Sequence, residues 1–530
     1  MSAQPSGARL SHPILFWPFL IVLLTALGLL AIRVVAGPVT GLITARTTVN
    51  FSAMAFLMLM ALLRFGTWRL GKRATFARER WLWLALAGLV ATTFLAFLPS
   101  VAAPFLFDDY THLAMAGGET LPALLHRVLV DHPSGGDLFF RPLGELYYWL
   151  LWRLDGVNPV PWHLAGITLH CANTLLVYGL ARRLDIPGIA AFFGAAFFAW
   201  TGVHVEDVCW LAASFDLLAT FFSLLALLQC LHRGRAAVAG TAICCVLACL
   251  SKESAYCLPL LILSLAFFRG GTDRNRIFRS ALAVGLWCGL VFLYRLWYLH
   301  GVGGYHNAAG QSQAFSLHFL STVQALLLRI WGVFFLPVNW SVSAELWLKV
   351  AAAVMLAGAG SMSFLVGKCR LGPAILFVLC AALPVVPLLL IGPDLSGARV
   401  LYLPSVGVSL LWMQMWSRCN SRAATLIALP VVLFQLAGLW HNQRIWVQVA
   451  ERAHDACVDT ADMLRENPGT TVVARDLPKT LNGVFFLANG FAQCVALNGG
   501  VEATRVRDSS VAGSDAREIH WNAQTGRMQW

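Results

Sequence analysis

The sequence predicts an all-α polytopic membrane protein of about thirteen transmembrane helices with a small extracytoplasmic β-rich C-terminal domain. Three observations carry this prediction. Apolar stretches of spanning length recur from Ile14 to Trp440, each bounded by charged or Pro/Gly-rich connections. Hydrophobic residues make up 58% of the 530 residues and charged ones only 12%, with a mean hydropathy of +0.69, more apolar than a soluble core can absorb. Basic residues fall in alternate linkers rather than on every one.

The spans run Ile14 to Ile32, Thr47 to Leu63, Trp81 to Leu98, Trp162 to Leu180, Ile186 to Val203, Val208 to Leu231, Ala236 to Leu250, Ser254 to Phe268 and Ala281 to Leu299. The first lacks a cleavage site and stays as a helix. Four more are Leu346 to Val366, Leu371 to Ile391, Val400 to Trp416 and Ala423 to Trp440. Counting Phe315 to Leu336 as a further span would move Lys368 to Arg370 and Arg418 to Arg422 to the outer face. That segment is therefore read as interfacial or re-entrant, broken at Pro337.

Placing the Lys/Arg-rich linkers in the cytoplasm puts the amino terminus inside and the carboxyl terminus outside, in what reads as a bacterial inner membrane. Asp108, Asp109, Asp131, Asp137, Glu145, Glu206, Asp207, Glu253 and Asp394 then share the outer face. The net charge of +12 is explained by topology, and no nucleic-acid partner is implied. Membrane lipids are the expected surroundings.

Residues 1–440 form the membrane domain and 441–530 the tail. In the tail an amphipathic stretch from Ile445 to Leu464 precedes short runs at Thr471 to Ala474, Gly483 to Leu487 and Cys494 to Leu497, read as strands between Gly and Asn turns. Most of the thirteen cysteines lie in apolar runs without metal-ligand spacing and read as core residues. Cys457 and Cys494 fall in the polar tail, where an oxidising compartment permits a disulfide, though two free thiols are the favoured reading.

The outer loop 104–161 is longer than a connector needs, and its apolar content argues for order. Thr111 to Val130 and Leu143 to Leu154 have helical spacing suited to the membrane interface. At its start, Asp108 and Asp109 sit at the apolar–polar boundary, where adjacent carboxylates repel and resist desolvation. One can serve as a base for a hydroxyl while the other orients it; the alternative is a solvated acidic cap.

Other outer-face residues can complete a site. Arg141, in Phe139-Phe140-Arg141-Pro142-Leu143, can contact a phosphate or the Asp pair, or else snorkel. His204, Glu206 and Asp207 occupy one short outer hairpin. A divalent metal there is possible, but the spacing is not that of a strong helical motif, so no metal or cofactor is assigned. Lys252 in Ser251-Lys252-Glu253-Ser254 suits a phosphate, the alternative being a Lys252–Glu253 cap. Arg399 and Tyr402, after Pro393-Asp394, either clamp a lipid phosphate or belong to an interface belt.

The ordered set Phe107-Asp108-Asp109, Phe139 to Leu143, His170 to Asn173, His204 to Trp210, Phe215-Asp216, Ser251 to Ser254 and Ala398 to Pro404 resembles the C-type membrane glycosyltransferases. It looks most like the transmembrane O-mannosyltransferases bearing tetratricopeptide repeats and their bacterial relatives, over roughly Ala103 to Trp440. The resemblance implies a polyprenyl-phosphate sugar donor, a hydroxyl acceptor (protein, glycan or lipid), inverting transfer, and Asp108 as base. Asp109, Arg141, Glu206, Lys252 and Arg399 match further positions. In two places the chain departs: Ser214 stands where the family often has Arg, and the small tail stands where the repeats would follow, which leaves the acceptor open.

Two other classes stay in view. A transporter or flippase of lipid-linked intermediates would show repeats and buried midplane charges, for which only Asp216, Arg295 and Arg329 are candidates. A non-catalytic scaffold would work through its tail and survive loss of both aspartates.

Overall fold

A backbone crossing hydrocarbon must satisfy its N–H and C=O groups internally, so each apolar stretch becomes a helix. The computed structural model describes residues 13–36, 80–133, 138–268, 274–304, 323–365, 371–389, 391–418, 421–507 and 516–530, with a few positions between 50 and 61. The amino-terminal part folds into α1 (Pro13–Ala36) and α2 (Arg80–Phe97), then α3 (Asp109–Gly118), α4 (Leu121–Leu129) and α5 (Pro142–Asp155) of the long loop. Next come α6 (Pro159–Arg183), α7 (Gly188–Trp200), the short α8 (Val205–Cys209), α9 (Ser214–Cys230), α10 (Arg235–Ser251), α11 (Leu258–Phe268) and α12 (Arg274–Tyr298). The last group is α13 (Ile330–Phe335), α14 (Leu346–Leu365), α15 (Gly372–Ala382), α16 (Tyr402–Trp416) and α17 (Ser421–Glu466).

The chain is a multi-pass helical membrane protein. Among the described residues, Trp83–Ser100, Pro159–Arg183, Gly188–Cys209, Leu211–Cys230 and Arg274–Tyr298 are long and apolar enough to cross a bilayer, and five shorter apolar helices accompany them. The span expected at Thr47 to Leu63 falls largely outside the described residues, as does the first half of Phe315 to Leu336. The second half ends as the buried α13, which stops two residues before Pro337. Helices approach closely where a side chain is missing: a Cβ on Gly194 of α7 would lie 2.1 Å from Cγ of Met413 on α16.

The long loop is helical as expected, but Thr111 to Val130 is two helices rather than one. Thr120 caps α4 by accepting the Ala123 N–H, and Pro122 fits its first turn without losing a needed donor. Arg127 then joins Glu119 at 2.6 Å and Glu145 at 3.4 Å, fastening α4 against α5.

The boundary expected after Trp440 falls inside a helix. α17 has 46 residues, roughly 70 Å at about 1.5 Å per residue, against about 30 Å of hydrocarbon. The composition shift therefore marks where the helix leaves the apolar layer, and the amphipathic stretch is its continuation. Just beyond that point Asn442 donates to the Gly202 and Pro337 carbonyls and accepts the Asn339 N–H, while Gln443 donates to Ser100. One face of α17 thus gathers several outer turns.

The small tail carries the expected strands together with one helix. Strands β1 (Thr471–Arg475), β2 (Thr480–Leu481) and β3 (Val484–Phe485) precede α18 (Phe491–Gly499), and β4 (Val506–Arg507), β5 (Ala516–Asn522) and β6 (Arg527–Gln529) follow. The sheet order is β4-β1-β5-β6, with β1 parallel to both neighbours and β5–β6 antiparallel. The run from Cys494 to Leu497, expected as a strand, lies in α18, whose apolar side packs on α17. Cys457 of α17 and Cys494 of α18 form a disulfide, so the favoured reading of two free thiols is corrected. Both are fully buried where the helices meet.

Candidate active site

Phe107 takes a positive φ of 53°, unusual for a bulky residue, and turns the chain sharply between α2 and α3. The turn sends the two following carboxylates into different surroundings. Asp108 is half-exposed, and its Oδ1 accepts an N–H from the Asn489 side chain at 3.0 Å. Asp109 is buried, accepting the Leu106 N–H at 3.1 Å, the Ala212 N–H at 2.7 Å and the Tyr148 hydroxyl at 3.3 Å.

Burial pushes the Asp109 carboxyl up to about 7, although the two backbone donors pull the other way. His112, one turn on, stands 3.3 Å from Glu145. Burial acts to lower its pKa, but the Glu145, Asp108 and Asp109 carboxylates together raise it above the ordinary histidine value. Asp109 is thus a tie between the long loop and the turn after α8, whereas Asp108 stays accessible to a substrate.

Each of the expected cations is held by an acid. Arg141 meets Glu253 through three contacts of 2.8–3.2 Å, and Arg295 reaches the same carboxylate at 3.0 Å. Lys252 pairs with Asp216, and Arg399 with Glu206. Arg141 and Arg399 both lie close enough to Lys252 to act on its charge. The Arg399 guanidinium also lies 4.6 Å from the Trp210 ring and 5.4 Å from that of Phe485. Phe107 stacks on Phe485 at 5.2 Å and touches Trp210 at 5.8 Å. An aromatic bridge therefore joins the Asp108 corner to Arg399.

The chain is similar to protein O-mannosyl-transferases. It is 32% identical over 189 residues to the enzyme named Tmtc1 of Drosophila melanogaster, covering 33% of this chain and 22% of that one. It is 26% identical over 204 residues to F38B6.6 of Caenorhabditis elegans, covering 36% and 29%. It is also 33% identical over 134 residues to TMTC2 of Mus musculus, covering 24% and 16%. The similarity thus spans less than a third of each relative's length. No protein-family model matches. Among solved structures, ArnT from Cupriavidus metallidurans bound to undecaprenyl phosphate aligns over 84% of this chain and 94% of its own, with 14% identity and a TM-score of 0.41.

Not every expected residue lands at the outer surface. Tyr402 was expected beside a donor phosphate, but it is fully buried, its hydroxyl bonded to His170 at 2.6 Å and to Asn173 at 3.2 Å. Its place is in helix packing. His204 bonds Ser405 at 2.9 Å through Nε2 and packs on Phe198 and Tyr402. Glu206 and Asp207 are likewise buried rather than lying in an open hairpin, because α8 packs against α17. Asp207 differs from Glu206 in that, among the described residues, neither of its buried oxygens has a hydrogen-bond partner.

Lys252 pairs with Asp216, not with Glu253 as in a simple cap. The cysteines also hold a surprise: Cys245, Cys249 and Cys288 meet inside the helical layer, with all three sulfurs within 4.8 Å. Cys245 and Cys249 are four apart on α10, so they share a face, a relationship that spacing rules for metal loops do not register.

Trp210, Tyr148, Phe485 and Asn489 belong to the site but were not singled out in the sequence. Trp210 closes the motif that begins at His204, which was a usable signal. Asn489 lies 381 residues from Asp108, and nothing local links the two.

Proposed function

We propose that the protein is an inverting glycosyltransferase that moves a sugar from a polyprenyl-phosphate donor to a hydroxyl acceptor on the extracytoplasmic face. The observation that carries this reading is the division of labour within the Asp pair. Asp109 is consumed by three hydrogen bonds, while the half-exposed Asp108 is held through its Oδ1 by Asn489 and is linked to Arg399 through the Phe107, Phe485 and Trp210 rings. The partial similarity to protein O-mannosyl-transferases supports the same chemistry.

Asp108 takes the proton of the acceptor hydroxyl as its oxygen bonds to the anomeric carbon. The bond from that carbon to the phosphate oxygen breaks on the opposite side, and the phosphate leaves with the electron pair. Arg141, Lys252 and Arg399 stabilise the charge that grows there, the phosphate sharing or replacing their carboxylate partners. Glu206 and Glu253 hold the guanidinium groups in place, and Asp109 orients the turn. His204 fixes the adjoining helix ends through its bond to Ser405.

In this reading residues 1–440 are the transferase domain and 441–530 an extracytoplasmic unit, with the amino terminus in the cytoplasm of a bacterial inner membrane. The Cys457–Cys494 disulfide supports an oxidising location for the tail.

The test uses membranes containing the full chain and a tritium-labelled mannosyl-phosphoryl-polyprenol probe. Label that leaves the lipid fraction for an acceptor in wild-type membranes and stays in the lipid with Asp108→Asn supports a transferase. Label that crosses the bilayer with its sugar–phosphate bond intact would favour a flippase instead.

A further inference from the structure

The connection between β1 and β4 does more than close a parallel pair. A parallel crossover must travel the length of the sheet, and this one carries the β2–β3 hairpin, Asn489 and α18. It is also where the tail touches the membrane domain's outer face.

At one end of the hairpin, the Asn482 carbonyl accepts an N–H from the Asn339 side chain at 2.8 Å. Beside it a Cβ on Gly483 would lie 2.4 Å from the Asp394 carbonyl oxygen. In the middle, Phe485 lies against Phe107, Trp210 and Arg399. At the far end the Asn489 side chain donates to Asp108, and Gly490, at φ +75°, sits so near that a Cβ would lie 2.6 Å from the Phe107 carbonyl oxygen. Four residues later, Cys494 is tied to α17 by the disulfide. The segment is anchored at both ends and lies on the proposed base and on one of the proposed phosphate-binding arginines.

We infer that the C-terminal unit is part of the active site, and that Asn489 is a positioning residue that holds one oxygen of Asp108 so that the other faces the acceptor hydroxyl. This rests on the transferase reading of Asp108. A carboxylate at the end of a two-torsion side chain sweeps several orientations, and only some present an oxygen along the line of attack. An amide donor fixed by a left-handed glycine and a nearby disulfide selects among them. Because the amide is neutral, it leaves the carboxylate free to take a proton.

The experiment compares wild type, Asn489→Ala, Asn489→Asp and Asp108→Asn in membranes containing the full chain, with the same labelled probe, separating kcat from donor KM. Limited proteolysis and thiol labelling verify that the tail is docked and Cys457–Cys494 intact. The expected result is a roughly tenfold to hundredfold fall in kcat for Asn489→Ala, the range for losing a hydrogen bond to a charged group, with donor KM within about twofold. Asn489→Asp keeps the shape but opposes two carboxylates, so it falls further than Asn489→Ala. A purely structural role predicts the reverse order, since the isosteric variant preserves packing. Wild-type kcat in both Asn489 variants, or Asn489→Asp equal to or better than Asn489→Ala, overturns the inference. If Asp108→Asn is inactive in that case, the transferase reading stands without Asn489; if Asp108→Asn is active, the parent reading falls first.

Discussion

The Ala212 N–H donates to the Asp109 carboxylate at 2.7 Å, joining two turns 103 residues apart in sequence. That bond decides which of two adjacent aspartates is free to react, because Asp109 also accepts from Leu106 and Tyr148 inside the protein. Removing the acceptor strands one buried and one part-buried backbone donor. Asp109→Ala is expected to destabilise the detergent-solubilised protein by about 2–4 kcal/mol, read as a lowered thermal midpoint. An unchanged midpoint would remove Asp109 from its tying role.

The same carboxyl gives a pH signature. Its pKa in the folded chain, about 7, lies above the ordinary 3.8, so between these values the folded state holds a proton that the unfolded chain has released. Stability from this group is therefore full at low pH and falls as pH rises toward 7. The thermal midpoint of the wild type should rise relative to that of Asp109→Asn as pH is lowered from about 8 to about 5. A difference that stays flat over this window contradicts the buried, proton-binding state.

Lys252 and Asp216 form a buried pair whose two members separate folding from chemistry. Lys252→Ala leaves Asp216 buried without its cation, at a cost of roughly 3–5 kcal/mol. Lys252→Met combined with Asp216→Leu should recover most of the thermal stability, since an apolar pair can replace a buried ion pair. Sugar transfer should remain depressed, by on the order of 10²-fold or more, because the cation facing the phosphate is still absent. Full turnover in the double variant would show that Lys252 serves the fold alone.

The tail's anchorage can be loosened without touching a charged group. Cys457→Ser opens a link across 37 residues, and the chain-entropy scale gives about 3–4 kcal/mol for a loop of that size. Gly490→Ala forces a Cβ toward the Phe107 carbonyl. Both should speed proteolysis within residues 476–505 while cleavage in the membrane domain stays at its wild-type rate. Equal protection of that segment in all three proteins would mean that neither feature holds it down.

The helices were legible because spanning a bilayer leaves a long, repeated signature, and the start of α6 could be placed within a turn and that of α12 within about two. The tail was less so. A four-residue apolar run such as Cys494 to Leu497 fits a strand or one helical turn equally well, and only its packing on α17 decides. The composition change near Trp440 marked the membrane exit of α17, not its end. In the site, the residue types were readable, since phosphate chemistry needs cations and a base on one face. Partners were not: the Lys252–Asp216, Arg399–Glu206 and Asn489–Asp108 contacts each join distant segments. Tyr402 shows the converse, a polar residue in a suggestive motif whose hydroxyl is taken by His170 and Asn173.

The assignment of Asp108 as the base is tested most directly by sugar transfer from a labelled mannosyl-phosphoryl-polyprenol in membranes carrying Asp108→Asn. Asn keeps the side chain's size and its contact with Asn489 but cannot take a proton. Transfer should fall by on the order of 10²–10⁴-fold or more, with the thermal midpoint and the docking of the tail unchanged. Turnover equal to wild type in that variant would contradict the account.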